Sequence, residues 1–170
     1  MSDTLITVVA IVLAAGLIFV VPLMTMADRV DTTSQSQVEA IVSDFVDEIR
    51  STGKITQEKY DAFIQSLSSL GYTFDVSMEA KILDENPGKK TTQTAKDKIG
   101  ENVYYSEYTS QIEEELKNNH GIKKLKTGDM VLVTVKNTDL TLAQQLKEFT
   151  YKIVGNDTAT VVASKAGMVQ

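Results

Sequence analysis

The feature that most constrains this chain is an uncharged apolar run near its start. Leu5 to Met26 contain no Asp, Glu, Lys or Arg, and most of these residues are Val, Ile, Leu, Ala or Phe. As a helix the run would be about 33 Å long, enough to cross a hydrocarbon core of about 30 Å. A lone segment in lipid must satisfy its own backbone hydrogen bonds, so we expect a helix. The sequence predicts a single-pass membrane protein with a transmembrane anchor at residues 1–27.

Two other interpretations of the run remain open, a cleaved secretory signal and the core helix of a soluble protein. A secretory signal has a basic start, a shorter apolar stretch and a small-x-small cleavage site. Here the first basic residue is Arg29, and Thr25-Met26-Ala27 fits a cleavage site poorly. The few flanking charges carry little information on orientation. We expect the usual arrangement of such an anchor, with the domain outside the cell.

The remaining residues have the composition of one acidic, soluble domain. Residues 28–170 hold 17 basic and 22 acidic side chains, a net charge of −5. This charge argues against a nucleic-acid surface and against attraction to anionic lipid. The chain contains no cysteine, which excludes a disulfide framework, a thiol nucleophile and a zinc–thiolate site.

An amphipathic helical stem is predicted at residues 28–51. From Val38 to Ile49 the apolar residues recur at helical spacing, and Gly53 is a stop signal. Ala27–Gln37 contains neither Gly nor Pro, which favours one helix that continues the anchor into the stem. The alternative is a break within Asp31–Ser36, where Asp, Ser and Thr compete for backbone hydrogen bonds.

Residues 52–170 are predicted to form a soluble α+β domain, with helices packed on a small antiparallel sheet of three or four strands. Apolar spacing and capping residues predict helices at Gln57–Leu70 after the N-cap Thr56, Glu107–Asn119 after the N-cap Ser106, and Thr141–Phe149. Alternation and turn signals predict a half-buried strand at Tyr72–Ile82, a central strand at Met130–Lys136, and a hairpin of Tyr151–Val154 and Thr158–Ser164. A mobile surface loop is expected at Asp84–Glu101.

A long helix that is apolar, then amphipathic, and that carries a small sheet domain resembles the lollipop plan of type IV pilins and pseudopilins. The stretch SDFVDEIRSTGKITQEKYDAFIQSLSSLGYTFDVSMEAKI (Ser43–Ile82) is similar to a segment of the small TadE-like membrane proteins of Gram-positive, clostridial tight-adherence pilus loci. The resemblance implies a structural subunit or accessory protein of a surface pilus or secretion machine. Its partners would be other membrane or pilus proteins, or further copies of itself. A processed pilin carries an acidic residue in its apolar segment, and this chain has none there.

Five residues are candidates for interaction with such partners. In the anchor, Ala14 and Gly16 are small enough to permit close helix approach. In the domain, Tyr104, Tyr105 and Tyr108 form a tyrosine-rich segment of the kind enriched in recognition surfaces. The alternative role is packing in the core, and the spacing of these residues along the predicted third helix favours it.

The sequence contains no recognisable catalytic constellation. The single histidine, His120, follows the predicted third helix, where its side chain would interact with the negative end of that helix. No cysteine or second histidine is present to build a site around it. Asp84-Glu85-Asn86-Pro87-Gly88 lacks the spacing of a calcium loop. We therefore expect no enzyme activity, no cofactor, no metal and no small-molecule substrate. The alternative to a machine subunit is a membrane-tethered extracellular domain that binds or senses a ligand.

Overall fold

The protein has an α+β fold in which one long helix leads into a small antiparallel sheet. The computed structural model describes residues 2–84, 103–139 and 162–170. In those ranges the elements are α1 (Ser2–Thr52), β1 (Lys54–Thr56), α2 (Gln57–Ser68), β2 (Phe74–Leu83), β3 (Tyr104–Tyr108), α3 (Thr109–Asn118), β4 (Ile122–Lys124), β5 (Met130–Asn137) and β6 (Val162–Met168). The main sheet has the order β3-β2-β5-β6, and β1 pairs separately with β4. The predicted fold class is confirmed.

Helix α1 is continuous from the apolar run through the stem. The polar junction does not break it, and hydroxyl groups there donate hydrogen bonds to carbonyl groups of the preceding turn. The hydroxyl of Thr33 donates to the Arg29 carbonyl at 2.9 Å, and that of Ser36 donates to the Thr32 carbonyl at 3.1 Å. The helix ends at Thr52, and the following Gly53 has a φ of +62°, in the left-handed region that suits glycine. Of the two predicted alternatives, the unbroken helix is therefore confirmed.

The hydrophobic core lies between the sheet and the second half of α1. The ring of Phe45 in α1 stacks on that of Phe63 in α2, with centroids 4.3 Å apart. Buried apolar side chains from β2, β5 and α3 join the same cluster. The buried apolar residues of α1 are Val38, Val42, Phe45, Val46 and Ile49. The stem is thus an integral part of the domain core as well as a connection to the apolar segment.

Strand β2 shows the predicted alternation of buried and exposed residues, and strand β5 has its predicted position in the sheet. In β2, Met78 and Ala80 are buried, whereas Asp75 and Ser77 are exposed on the opposite face of the sheet. Strand β5 lies between β2 and β6, so its predicted central position is confirmed. Helix α2 also begins as expected, because the Thr56 hydroxyl accepts a hydrogen bond from the Lys59 amide.

The predicted start of the third helix is wrong. Ser106 was expected to cap a helix at Glu107–Asn119, but α3 begins at Thr109 and the preceding residues form β3. Pairing with β2 outweighs the local helical signal, and the Ser106 hydroxyl donates to a Glu79 carboxylate oxygen at 2.7 Å. The amide of Tyr108 at the N-cap donates to the Gln111 side chain at 2.9 Å.

The short strands β1 and β4 have no counterpart in the sequence prediction, because three residues are too few to show a period. The predicted C-terminal strand is present in its described part and extends to Met168 as β6, where it pairs with β5. Four other predictions lie wholly or almost wholly outside the described residues. They are the loop at Asp84–Glu101, the helix at Thr141–Phe149, the strand at Tyr151–Val154 and the hairpin that joins this strand to the C-terminal one.

Candidate functional site

The apolar half of α1 is exposed along its length. The most apolar 18 residues within Asp3–Met26 have a mean hydropathy of 2.9, and none of them is buried inside the molecule. Phe19, for example, is 71% exposed. A surface of this size on a soluble monomer would be highly unfavourable, since burying apolar area contributes about 25 cal/mol per Å². The helix is long and apolar enough to span a membrane, and both an anchor and a signal sequence have this character.

The two small residues predicted for helix contact do not form one surface. Ala14 and Gly16 are both exposed, and a Cβ atom added at Gly16 would meet no atom within 4 Å. Residues two positions apart on a helix point to different sides. Ala14 and Gly16 can therefore serve separate contacts with neighbouring helices, but not a single one.

The three tyrosines lie in a strand, so their predicted helical face does not exist. Because side chains alternate along β3, Tyr104 and Tyr108 share the face of the sheet that carries Glu79, and Tyr105 lies on the other face. Tyr105 is 42% exposed and Tyr108 is 57% exposed. The alternative of core packing on the third helix is therefore wrong for these two residues.

The sequence pattern did not predict an ion cluster that forms around a buried lysine. The side chain of Lys123 in β4 is only 2% exposed, and its ammonium group donates hydrogen bonds to Glu107 of β3 and Glu115 of α3. Glu115 belongs to an acidic run that resembled a solvated helix surface. No local pattern marks Lys123 as buried, because its two partners come from separate elements.

The ion cluster keeps Lys123 cationic. Burial acts to lower the pKa of Lys123, but the hydrogen bonds to Glu107 and Glu115 outweigh burial and hold that pKa above its ordinary value of 10.5. A protonated ammonium cannot act as a nucleophile. The arrangement therefore joins three elements electrostatically and does not activate the lysine for covalent chemistry.

A polar cleft of about 370 Å³ opens beside this cluster. Asp129 closes one wall: its two carboxylate oxygens accept hydrogen bonds from the backbone amides of Leu83 at 2.9 Å and Lys126 at 2.7 Å. The other lining residues include Ile82, Tyr105, Glu107 and Lys123.

Within residues 2–84, 103–139 and 162–170, no group of three or more His, Cys, Asp and Glu side chains is placed to hold a metal ion. His120 is exposed just after α3, with a φ of +54°.

The ion cluster and a buried tyrosine predict a loss of stability at alkaline pH. Burial and a hydrogen bond to Glu113 raise the pKa of Tyr60 above its ordinary value of 10.0, and the pKa of Lys123 is raised as well. Above pH 10 the unfolded chain releases these protons before the folded chain does, so the free energy of unfolding falls as pH rises.

Urea unfolding at about pH 9 and about pH 11 measures this effect. Tyr60→Phe should reduce the loss between the two pH values, whereas Tyr108→Phe, at an exposed tyrosine, should leave it unchanged. An identical loss in both variants would contradict the role given to Tyr60.

Comparison of the chain with protein-family models, with curated proteins and with solved structures found no match.

Proposed function

We propose that this protein is a membrane-anchored, pseudopilin-like structural subunit or accessory protein of a surface pilus or secretion machine. The observation that carries the proposal is the division of α1 into two halves. The first half is apolar and exposed, while the second half supplies Val38, Val42 and Val46 to the core of the domain. One helix thus leaves an apolar surface available to neighbours in the membrane and holds a folded domain at its other end.

The sequence resemblance to TadE-like proteins agrees with this arrangement, and so does the character of the polar residues. The chemistry of Lys123 is that of a stable cation, which fits a non-catalytic role. In the proposal the anchor remains attached, the soluble domain faces the exterior, and the partners are other membrane proteins or further copies of the chain. Close approach of a partner helix would use Ala14 on one side of α1 or Gly16 on another.

Cross-linking within native membranes tests the proposal. The chain has no cysteine, so single cysteines placed along residues 8–20 give an unambiguous signal. Cross-links to another copy or to a second membrane protein should recur with helical periodicity. Ala14→Leu and Gly16→Leu should weaken them without changing the amount of folded protein, because a larger side chain separates the helices. Val12→Leu, at a residue that is already large, is the matched control.

A tethered binding or sensing domain is the second candidate function. It is favoured by the polar cleft, whose volume of about 370 Å³ is within the range of small-ligand sites, about 300–1,000 Å³. If no position along residues 8–20 forms a cross-link in the native host, the anchor is a simple tether. That result would contradict the machine-subunit proposal and leave the binding domain as the better explanation.

A further inference from the structure

The sheet runs alongside α1 in a defined direction. Near the start of β6, the Val162 carbonyl accepts a hydrogen bond from the Gln35 side chain at 2.9 Å. At the end of β6, the Met168 carbonyl accepts one from the Arg50 side chain at 3.2 Å. The helix rises about 22 Å between its two contacts, and the strand extends about 20 Å between its own. Helix α1 and β6 are therefore nearly parallel, and each end of the sheet lies at a definite height above the anchor.

One end of the domain lies close to the apolar segment. Gln35 follows Met26 by nine residues, which is about 13 Å of helix. From the level of Gln35 the sheet continues back toward the anchor. Lys136 of β5 pairs with Val162, which contacts Gln35. Two residues after Lys136, the Thr138 amide donates a hydrogen bond to the Thr73 carbonyl at 3.0 Å. Two strand residues extend about 7 Å. We call the described residues Tyr72, Thr73, Thr138 and Asp139 the proximal end.

The height of the proximal end matches that of lipid headgroups. It lies about 6 Å beyond Met26 along the helix axis, and the headgroup layer extends about 5–7 Å beyond the hydrocarbon core. Its chemistry is suitable as well. Tyr72 packs edge-on against Phe74 at 6.2 Å between ring centroids, and tyrosine is enriched at membrane interfaces. Thr73 and Thr138 add exposed hydroxyl groups.

The polar cleft lies at the opposite end of the sheet. Its residue Asp129 accepts a backbone hydrogen bond from Val169 at 2.8 Å, next to the end of β6. Arg50, at the same level of α1, follows Met26 by 24 residues, which is about 36 Å of helix. The cleft is therefore separated from the lipid surface by the length of the domain.

We infer that the proximal end of the domain rests against the lipid headgroups, and that the unbroken helix α1 holds the polar cleft away from the membrane. The inference rests on the proposed anchor, and it adds a second membrane-facing surface that belongs to the folded domain. The lipid surface that fits it is zwitterionic, because the nearby charges have both signs: Asp75 and Asp139 are acidic and Lys136 is basic.

Fluorescence quenching in vesicles tests the inference on the full chain. The variants Thr73→Cys at the proximal end and Thr127→Cys beside the cleft replace exposed threonines, and each is labelled with a small fluorophore. The protein is reconstituted into phosphatidylcholine vesicles that contain a nitroxide on the lipid headgroup. Quenching should be several-fold stronger for the Thr73→Cys label than for the Thr127→Cys label.

The outcomes separate the anchor from the orientation of the domain. Equal quenching of both labels, with the protein retained after a carbonate wash, would overturn the inference while leaving the anchor intact. Release of the protein by the wash would overturn both. Adding Thr33→Pro, which removes a backbone donor and kinks the helix, should reduce the difference between the labels. Adding Thr33→Ala should preserve it, and equal results for these two would contradict the role of the unbroken helix.

Discussion

Replacing Met78 with Asp is expected to unfold the domain. Met78 is fully buried in β2, between the neighbouring strands β3 and β5. Burying a carboxylate without a partner costs several kcal/mol, a large part of a typical stability of about 5–15 kcal/mol. The loss of near-ultraviolet circular dichroism and of protection from hydrogen exchange in β5 would measure the effect.

Ser77→Asp is the matched control for this substitution. Ser77 is the preceding residue, exposed on the other face of the sheet, so its replacement should change the free energy of unfolding by less than about 0.5 kcal/mol. If the two variants were equally stable, the orientation of β2 in the structure would be wrong.

Phe45→Ala is expected to lower the free energy of unfolding by about 3–5 kcal/mol, the usual cost of removing a buried phenylalanine side chain. Phe45 joins the second half of α1 to α2 through its stacked contact with Phe63. The substitution therefore tests whether the stem is part of the domain core. Urea unfolding of the full chain in mild detergent gives the change.

The control for the stem is Asp44→Ala, at an exposed residue next to Phe45. It removes a side chain from the same turn of α1 without leaving a cavity, so the midpoint of urea unfolding should move little. Alanine is the best helix former, so neither substitution weakens the helix itself. A similar loss of stability in both variants would contradict the role given to packing of Phe45 against α2.

The strands show how far pattern alone can lead. The alternation from Tyr72 to Ile82 predicted both the strand and its buried face, because side-chain direction in a strand repeats every two residues. Pattern alone failed at Tyr104–Tyr108. The tyrosines there have helical spacing with Ile112 and Leu116, and this spacing predicted a helical face. Those five residues pair with β2, and strand pairing depends on a partner that is distant in sequence.

The candidate contact residues were predicted only as residue types. The sequence showed that Ala14 and Gly16 are small and that three tyrosines lie close together. It did not show that β3 separates Tyr105 from its neighbours. Lys123 was not singled out, since a lysine among exposed residues has no pattern that reveals burial.

By itself, the sequence determined the apolar segment, the amphipathic stem, the start of α2, the buried face of β2 and the apolar character of β5. These features follow from periodicity and capping, which are properties of neighbouring residues. Only the tertiary structure decided the pairing of β1 with β4, the end of β3 at Tyr108, the burial of Lys123 between two glutamates and the position of the polar cleft. Each of these brings together groups from separate elements, and their free energy depends on contacts that no local stretch of sequence contains.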